Sequence, residues 1–554
     1  MYAIERFESR CKKAIESILK RSVELEVPPP EIGALFALPC HGLSKYPEEL
    51  AGELASKLES LDIDLVGKIE ARGAYVNFFP SGEFYEIVLR EILQKGDDYG
   101  SGEKKDEVIV IDFSSPNVAK PMSVGHLRST IIGQSLYNIL TFLGYKCIGD
   151  NHLGDWGTQF GALLAAFELW GNEEELESDP IRHLFELYVK FHRESEKNER
   201  LEELAREKFR LLESGSEREK ELWKRFVDLS LREFQRIYDL LGVKFDYVLG
   251  ESFYYSRAKR LVQRALEQGI AKISKGVVVI PLEEFGLPPL VIQKSDETTL
   301  YSTRDLATIE YRLEEFSPSK MIYVVGAEQK LYFKQLFAAA RKLGFNCNFV
   351  HVDFGLVTIG GEKMSTRRGK VVLLEDLLRE AIAKAKQVIE ERNPLLQNSD
   401  EIAKIVGIGA VIFNDLKGDR IQQVDFDLNR MLNFEGDSCP YVQYAYVRGR
   451  SILRTAGVTK VTLESVELLS DYEKKLIELL SFFPRIVKLA AETLKPHYIA
   501  QYLLDLAESF NSFYTHCRVI GSPNEATRLA IVSATTHVLK SGLSLLNIRA
   551  PEMM

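Results

Sequence analysis

The stretch VIVIDFSSPNVAKPMSVGHLRSTIIG, residues 108–133, decides the fold. It opens with an apolar run of strand length, VIVIDF, and passes through a turn rich in serine, proline and asparagine. A helical pattern then begins near Val124 and continues to Gly144. Strand, turn and helix in this order predict one unit of a parallel sheet, in which ligands lie outside the carboxyl ends of the strands.

The same alternation continues along the chain. Three later segments also begin with apolar runs, and helical patterns lie between them. They are YKCIGDNHLGDWG (145–157), MIYVVGAEQ (321–329) and FVHVDFGLV (349–357). We therefore predict an α/β fold, a Rossmann-like parallel sheet covered on both faces, over residues 105–425. A densely charged segment at about 175–290 predicts a helical insertion, either a solvated hairpin or a contact for RNA.

The two ends of the chain differ from this middle part. Residues 1–104 mix helical and strand patterns, which predicts a small N-terminal α/β domain. The polar, glycine-rich segment KGDDYGSGEKKDE (95–107) follows and is typical of a linker. From residue 426 to 554 the patterns are almost all helical, which predicts an all-α helical bundle at the C-terminus.

Composition limits the function classes. The chain has 554 residues, 45% hydrophobic and 27% charged, with a net charge of -10, the balance of a globular protein that can still carry a local basic surface. It has no apolar run near the roughly 20 residues that span a bilayer and no signal-peptide pattern. Its six cysteines are scattered without a CxxC pair. We expect a cytoplasmic protein with no membrane partner, no protein-bound metal and no structural zinc.

Two short motifs point to phosphate chemistry. Gly125 and His126 stand where a turn enters a helix, and helix N-terminal amides favour anions. The second motif, IGGEKMSTRRGKVV (359–372), places two glycines before a cluster of basic residues. That segment is either an exposed basic loop or a flexible arm that clamps a polyphosphate leaving group.

These motifs resemble a known family. SVGH (123–126) and KMSTR (363–367) are similar to the two signature motifs of class I aminoacyl-tRNA synthetases. Four further segments resemble the arginyl-tRNA synthetase family more closely, namely SSPNVAKPMSVGHLRSTIIG, GDNHLGDWGTQFG, TLYSTRDLATIEYR and CPYVQYAYVRGRSILR. The closing segment GLSLLNIRAPEMM is similar to the end of that family's chains.

The resemblance implies an activity and its partners. A member of this family activates arginine with ATP, used with Mg²⁺, to arginyl-adenylate and transfers the arginine to the 3′-terminal ribose of tRNA-Arg. The family also implies that bound tRNA is needed before arginine is activated, and we expect a monomer.

Arginine is a planar cation with five N–H donors, so its pocket needs carboxylate and amide or hydroxyl acceptors. The resemblance places Tyr301 and Asp305, four residues apart and on one face if the segment is helical, at the guanidinium. The alternative is that Asp305 forms a structural salt bridge with Arg304 or Arg312. The family's other amino-acid contacts match Ser115, Asn117, Asn151 and Gln329.

On the ATP side, the resemblance assigns roles to Gly125, His126, Lys363 and Ser365. Two positions depart from the family pattern, because Ser123 replaces the usual first histidine and Thr366 replaces the second lysine of the loop. Loss of one transition-state contact typically costs about 10²–10³ in rate, which slows a reaction without ending it. We hypothesise that Arg367, with Arg368 and Lys370, offsets the missing charge, so that alanine at Lys363 or Arg367 lowers adenylate formation far more than arginine binding.

For tRNA, the resemblance places Tyr75 and Asn77 at a base of the D-loop, with a plain core strand as the alternative. It places Tyr441, Arg448 and Met554 near the anticodon; the alternative is buried tyrosines beside surface arginines. Two other function classes remain open. One is an RNA-binding protein derived from a synthetase that no longer catalyses, and the other is a class I relative specific for lysine.

Overall fold

The computed structural model describes residues 1–296, 298–359, 362–363, 372–463, 465–466 and 469–554, with only the backbone at 359, 362 and 363. The chain forms two compact units. The first comprises Met1–Gly102, Ala385–Phe413 and Asn429–Met554, and the second comprises Glu103–Lys384 and Asn414–Leu428. The domain boundaries expected at 104/105 and 425/426 stay predictions.

The N-terminal part of the first unit is a three-stranded antiparallel sheet with helices. Its elements are α1 (Ala3–Leu19), β1 (Phe36–Pro39), α2 (Pro47–Glu59), β2 (Val66–Arg72), β3 (Tyr75–Pro80) and α3 (Gly82–Lys95). The strand order is β1–β3–β2, so β3 is central. Helix α1 buries Ile4, Phe7 and Cys11 on one face, as the helical spacing predicts. Helix α3 begins after Ser81, whose hydroxyl accepts a hydrogen bond from the Phe84 N–H at 3.3 Å.

The chain between residues 103 and 428 alternates strands and helices. Its elements, in order, are β4 (Val108–Asp112), α4 (Val124–Phe142), β5 (Lys146–Asn151), α5 (Thr158–Trp170), α6 (Glu173–Ser178), α7 (Pro180–Ser195), α8 (Glu199–Ser214), α9 (Glu217–Leu241), β6 (Tyr247–Val248), α10 (Glu251–Glu267), β7 (Lys272–Ser274), β8 (Val277–Ile280), β9 (Leu290–Gln293), α11 (Tyr301–Phe316), β10 (Lys320–Gly326), α12 (Lys330–Lys342), β11 (Asn348–Phe354), β12 (Val357–Ile359), β13 (Glu362–Lys363), α13 (Leu374–Arg392), α14 (Ser399–Leu416) and β14 (Val424–Phe426).

The central sheet of the second unit is parallel, which confirms the predicted Rossmann-like fold. Its five strands follow the order β11–β10–β4–β5–β6, and every neighbouring pair runs parallel. Val110 and Ile111 of β4 are fully buried, as expected for a strand covered on both faces. The chain order reverses between β4 and β10, and such a switch point opens a crevice at the carboxyl ends of the strands.

The segment expected to be a helical insertion contains helices α6–α10 and also a small antiparallel sheet, β7–β8–β9. The helices are amphipathic, and α9 buries Phe226, Leu229 and Phe234 along one side. The additional sheet is built from strands of three or four residues, too short to show a period in the sequence.

The remaining part of the first unit is helical, which confirms the predicted bundle. Besides the parts of α13 and α14 that lie within Ala385–Phe413, its helices are α15 (Leu428–Met431), α16 (Cys439–Thr455), α17 (Asp471–Ser481), α18 (Phe483–Thr493), α19 (His497–His516) and α20 (Glu525–Leu545). Helix α20 is buried along most of its length and forms part of the bundle core. Within the described residues, no helix combines the length and the apolar character needed to cross a membrane.

Candidate functional site

A cavity of about 430 Å³ opens at the carboxyl ends of β4, β5 and β10, at the switch point of the sheet. The segments that follow these three strands form its walls, together with the first turn of α4 and the start of α11. Among the residues predicted from the sequence, the cavity is lined by Ser115, Asn117, Gly125, His126, Tyr301, Asp305 and Gln329.

The turn after β4 is held in an unusual backbone conformation. Ser114 and Ser115 have positive φ angles of 73° and 48°, a region that side chains rarely adopt. The Ser115 N–H donates to Asn151 Oδ1 at 3.1 Å, and the Ser115 hydroxyl donates to Asp112 Oδ1 at 3.0 Å. The fully buried Asn151 donates from its side-chain Nδ2 to the Tyr238 hydroxyl at 3.1 Å. The structure thus places Asn151 behind the cavity wall, where its amide shapes the turn.

Asn117 reaches the cavity because its neighbour is a glycine. A Cβ atom on Gly154 would lie 2.3 Å from Asn117 Oδ1, which no other residue type allows without a shift. The Val118 N–H donates to the Gly154 carbonyl and the Gly154 N–H to the Pro116 carbonyl, both at 3.1 Å. This short ladder fixes Asn117 beside the segment that follows β5.

Ser123 and His126 form one local unit at the start of α4. Ser123 is the N-cap residue, and its backbone N–H donates to His126 Nδ1 at 3.0 Å. The Ser123 hydroxyl also lies 3.0 Å from this nitrogen. Burial lowers the pKa of His126, so the ring is neutral at pH 7. Since Nδ1 accepts, the proton of the neutral ring is on Nε2, which is then a hydrogen-bond donor.

The acids of the cavity differ in their partners. Arg312 donates to Asp112 Oδ2 at 2.6 Å and also binds Asp150, and Arg304 donates to Glu251 Oε2 at 2.7 Å. The alternative salt bridge of Asp305 with one of these arginines is therefore wrong. Within the described residues, Asp305 has no lysine or arginine partner.

Asp305 instead has two weaker partners. The Tyr332 hydroxyl donates to Asp305 Oδ2, and His152 Nε2 lies 3.6 Å from Oδ1. The Tyr301 ring stands 5.0 Å from that of Tyr332, and Tyr301 is 54% exposed at the first position of α11. Gln329 is exposed after β10 and lines the same cavity. Among the described residues, a carboxylate with no arginine or lysine partner thus faces these aromatic and amide groups.

The basic motif falls largely outside the described residues. Five residues of the motif are not among the described residues: Ser365, Thr366, Arg367, Arg368 and Lys370. Lys363 is described only through its backbone, which pairs with Thr358 in the antiparallel β12–β13 ladder. The roles expected for these residues stay predictions.

The first unit contains a second cavity, of about 630 Å³, in its helical part. Arg448 lies over two tyrosine rings there, 4.9 Å from the centroid of Tyr444 and 4.6 Å from that of Tyr514. Met554 lines the same cavity. Tyr441 does not line it and stands in the first turn of α16, where its N–H donates to the hydroxyl of the N-cap residue at 3.3 Å.

Tyr75 and Asn77 differ in accessibility. Tyr75 is 37% exposed, with the His41 ring 5.5 Å away. Asn77 is only 3% exposed, and its amide donates to the Glu70 carbonyl at 3.4 Å. The structure thus brings Tyr75 to the surface but not Asn77.

Sequence analysis missed several residues of the two cavities. Glu251 and His152 line the first, and Tyr444 and Tyr514 line the second. Tyr444 precedes Arg448 by four residues, and this spacing predicts that the two side chains are neighbours on one face of a helix. No periodicity connects Glu251 or His152 to Asp305, because they belong to different elements.

Comparison with known proteins agrees with this geometry. Residues 88–428 match the family model described as "tRNA synthetases class I (R), catalytic domain", and residues 442–554 match the "DALR anticodon binding domain". The chain belongs to the arginyl-tRNA synthetase family. It has the catalytic domain of a class I aminoacyl-tRNA synthetase, and such a domain uses ATP.

Several members of the family are similar over nearly their whole length. An arginine–tRNA ligase of Clostridium kluyveri is 44% identical over 569 residues, covering 98% of this chain and 100% of that protein. An arginine–tRNA ligase of an Exiguobacterium species is 45% identical over 540 residues, covering 96% of this chain and 95% of that protein. Among solved structures, the arginyl-tRNA synthetase of Thermus thermophilus has a TM-score of 0.84 and 26% identity, covering 99% of this chain and 100% of the other.

Proposed function

We propose that this protein is an arginine–tRNA ligase whose cavity at the sheet binds arginine with its guanidinium at Asp305. The observation that carries the proposal is the charge of this residue, because Asp305 is the acid of the cavity without an arginine or lysine partner in the described part of the chain. A guanidinium supplies the positive charge that Asp305 needs as a partner, together with two parallel N–H donors. The same family membership favours arginine over lysine.

The remaining polar groups fit the rest of the amino acid. The Tyr301 hydroxyl and the Glu251 carboxylate are further acceptors for guanidinium N–H groups, and burial raises the pKa of Glu251. Asn117, Ser115 and Gln329 would orient the α-amino and carboxylate groups, and uncharged groups do this without neutralising a second charge. Asn151 would act from behind, by holding the backbone of Ser115.

Adenylate formation needs a carboxylate oxygen of arginine to attack the α-phosphorus of ATP. The bond to the bridging oxygen breaks, and pyrophosphate leaves. We assign to Gly125 the close approach of phosphate to the N-terminus of α4, and to His126 a hydrogen bond from Nε2–H to a phosphate oxygen. Ser123 would support this step by holding the ring of His126. Lys363, Ser365 and Arg367 would bind the leaving pyrophosphate, as their motif predicts.

In the second step, a hydroxyl of the terminal ribose of tRNA-Arg attacks the carbonyl carbon of the adenylate. The hydroxyl loses its proton, and AMP leaves. Magnesium would enter with ATP. Among the described residues no group of three or more histidine, cysteine, aspartate or glutamate side chains could hold a metal ion, so phosphate oxygens would be its main ligands.

For tRNA recognition, the helical cavity offers stacking surfaces and a guanidinium. Arg448, Tyr444 and Tyr514 fit an unstacked anticodon base, with Met554 on the same wall. Tyr441, at the start of α16, would contact the anticodon loop outside this cavity. In the N-terminal part, the exposed Tyr75 fits a D-loop base, whereas Asn77 would support its strand. We further propose a monomer that works in the cytoplasm.

The test is arginine-dependent exchange of pyrophosphate into ATP, with and without tRNA-Arg. We expect exchange with arginine, none with lysine, and a strong dependence on tRNA. Binding of tRNA without exchange under any condition would contradict catalysis and favour an RNA-binding protein. Exchange with lysine would contradict the assignment of Asp305.

A further inference from the structure

His152 is a titratable side chain of the first cavity that the mechanism above does not use. It follows β5 directly, lines the cavity and has a side chain that is only 12% exposed. Its Nε2 lies 3.6 Å from Asp305 Oδ1, an ion-pair distance that is too long for a hydrogen bond. Neither ring nitrogen has a hydrogen-bond partner within the described part of the chain.

Acidic groups predominate around this ring. The charged and titratable groups that face it or its immediate partners are Asp305, Arg304 and Arg312 of α11, Asp112 of β4, Asp150 of β5, Asp155 of the following loop, Glu251 and Tyr254 of α10, and Tyr332 of α12. Five carboxyl groups thus accompany two guanidinium groups. Such an environment favours another positive charge.

The two arginines are already engaged elsewhere. Arg312 binds Asp112 and Asp150, and Arg304 binds Glu251. The partners left for Asp305 are the uncharged Tyr332 hydroxyl and the His152 imidazole. Burial by itself would lower the pKa of His152, but the interaction with Asp305 and the charge of Asp112 outweigh it and raise this pKa to about 9. At neutral pH, His152 is therefore charged in the empty cavity.

We propose that His152 couples arginine binding to the release of a proton: it is the counter-ion of Asp305 in the empty cavity and is replaced in this role by the guanidinium of arginine. This inference rests on the proposed function. Two cations beside one carboxylate repel each other, so arrival of the guanidinium drives the proton of His152 into solvent. The neutral imidazole can then accept a hydrogen bond from the ligand. An uncharged analogue of the same shape, such as citrulline, cannot replace the charge of His152, so its binding releases no proton.

The sign of the pH dependence follows from this exchange. The empty protein holds the proton below about pH 9, and the arginine complex does not. Proton release on binding makes affinity rise with pH, by about tenfold per unit while His152 is charged when empty and neutral when bound. Above the pKa of the empty protein, His152 no longer carries a proton to release, so this contribution to the slope ends.

The experiment is calorimetric titration of the full chain with arginine from pH 6.5 to 9.5, in buffers that differ in ionisation enthalpy. We expect about one proton released per arginine near neutral pH, with the tenfold slope described above. In His152→Gln, both the proton release and the pH slope are lost. The matched control is His192→Gln, which removes an exposed histidine on α7 of the same unit and keeps the behaviour of the unaltered protein.

Each outcome is decisive. Arginine binding without proton release, or with the same release in His152→Gln, would overturn the role of His152 and leave the proposed function standing. Absence of arginine binding at every pH would overturn the proposed function together with this inference. The proton count of the unaltered protein is itself a test, so the proposal stays falsifiable even if His152→Gln does not fold.

Discussion

The two cavities use charge in opposite ways. The cavity at the sheet is lined by the carboxyl groups of Asp112, Glu251 and Asp305. The cavity in the helical part of the first unit is lined by Arg448 and Arg518 with tyrosine rings. The first arrangement suits a small cation that must be told apart from similar molecules, and the second suits a nucleic-acid base with its phosphates.

The surroundings of these charges differ as well. In the second unit, Arg128 and Asp415 form an ion pair at 3.1 Å with both side chains 0% exposed. In the first unit, Lys540 and Asp97 lie 2.6 Å apart, but their side chains are 48% and 44% exposed. Removing one partner of a buried pair costs about 3–5 kcal/mol, whereas an exposed pair contributes about 0–1 kcal/mol. The buried pair is therefore the more sensitive of the two to substitution. The Asp305 side chain is only 22% exposed, so we expect large effects from substitutions at the cavity of the sheet.

The largest effect is expected for Asp305→Asn, which keeps the shape and removes the charge. We predict a loss of about 100-fold or more in kcat/KM for arginine, because truncating one partner of a buried charge pair costs about 2–5 kcal/mol. The measurement is pyrophosphate exchange with tRNA present. Glu314→Gln, an exposed acid on the same helix, is the control and should change little. A similar loss in both variants would contradict the special role of Asp305.

The next largest effect is expected for His126→Ala. The Nε2–H donor is lost, so kcat for exchange should fall by about 10²–10³, while KM for arginine stays near its original value. Steady-state exchange at saturating ATP separates the two parameters. A large rise in KM for arginine with kcat unchanged would place His126 on the amino-acid side of the cavity.

A smaller effect, confined to tRNA, is expected in the helical cavity. Arg448→Ala removes the guanidinium between two tyrosine rings and should raise KM for tRNA about tenfold, within the range of one lost stacking contact. Arg454→Ala changes an exposed arginine of the same helix and is the control. Aminoacylation at varied tRNA concentration is the measurement. Equal effects of the two variants would show that general positive charge, and not the cavity, binds the tRNA.

The smallest effect is expected for Ser123→Ala. The backbone N–H of residue 123 still donates to His126 Nδ1, and the lost hydroxyl contributes about 0.5–1.5 kcal/mol. Exchange should therefore slow by less than about tenfold by the same principle. A loss as large as that of His126→Ala would instead show that the Ser123 hydroxyl itself contacts the reacting phosphates.

The sequence predicted the local features correctly. The apolar run 108–113, the helix that ends before Gly144 and the helical C-terminal region were all readable, because each depends on the spacing of neighbouring residues. The motif around residue 126 was also readable, since a turn that enters a helix is a local event. The four-residue spacing of Tyr301 and Asp305 predicted that they share one face of a helix, and both line the same cavity.

Asn77 shows where period-two reasoning fails. The resemblance assigns Tyr75 and Asn77 to one D-loop base, and alternate residues of a strand point to one face, so the two were expected to act together unless the strand belongs to the core. In the structure β3 is the central strand of its sheet, and Val76, Asn77 and Phe78 are all buried. Alternation shows which residues share a face, but whether that face is covered depends on the packing of other elements.

What the sequence determined by itself was the alternation of strands and helices that builds the parallel sheet, the helical C-terminal region, the family and the residues close to each motif. What only the tertiary structure decided was which charges meet. Asp305 finds His152 from the end of β5 and Tyr332 from α12, while Arg312 and Arg304 are drawn to other acids. Pairings of this kind join residues that are distant along the chain, and they arise because a parallel sheet brings the ends of its strands to one edge.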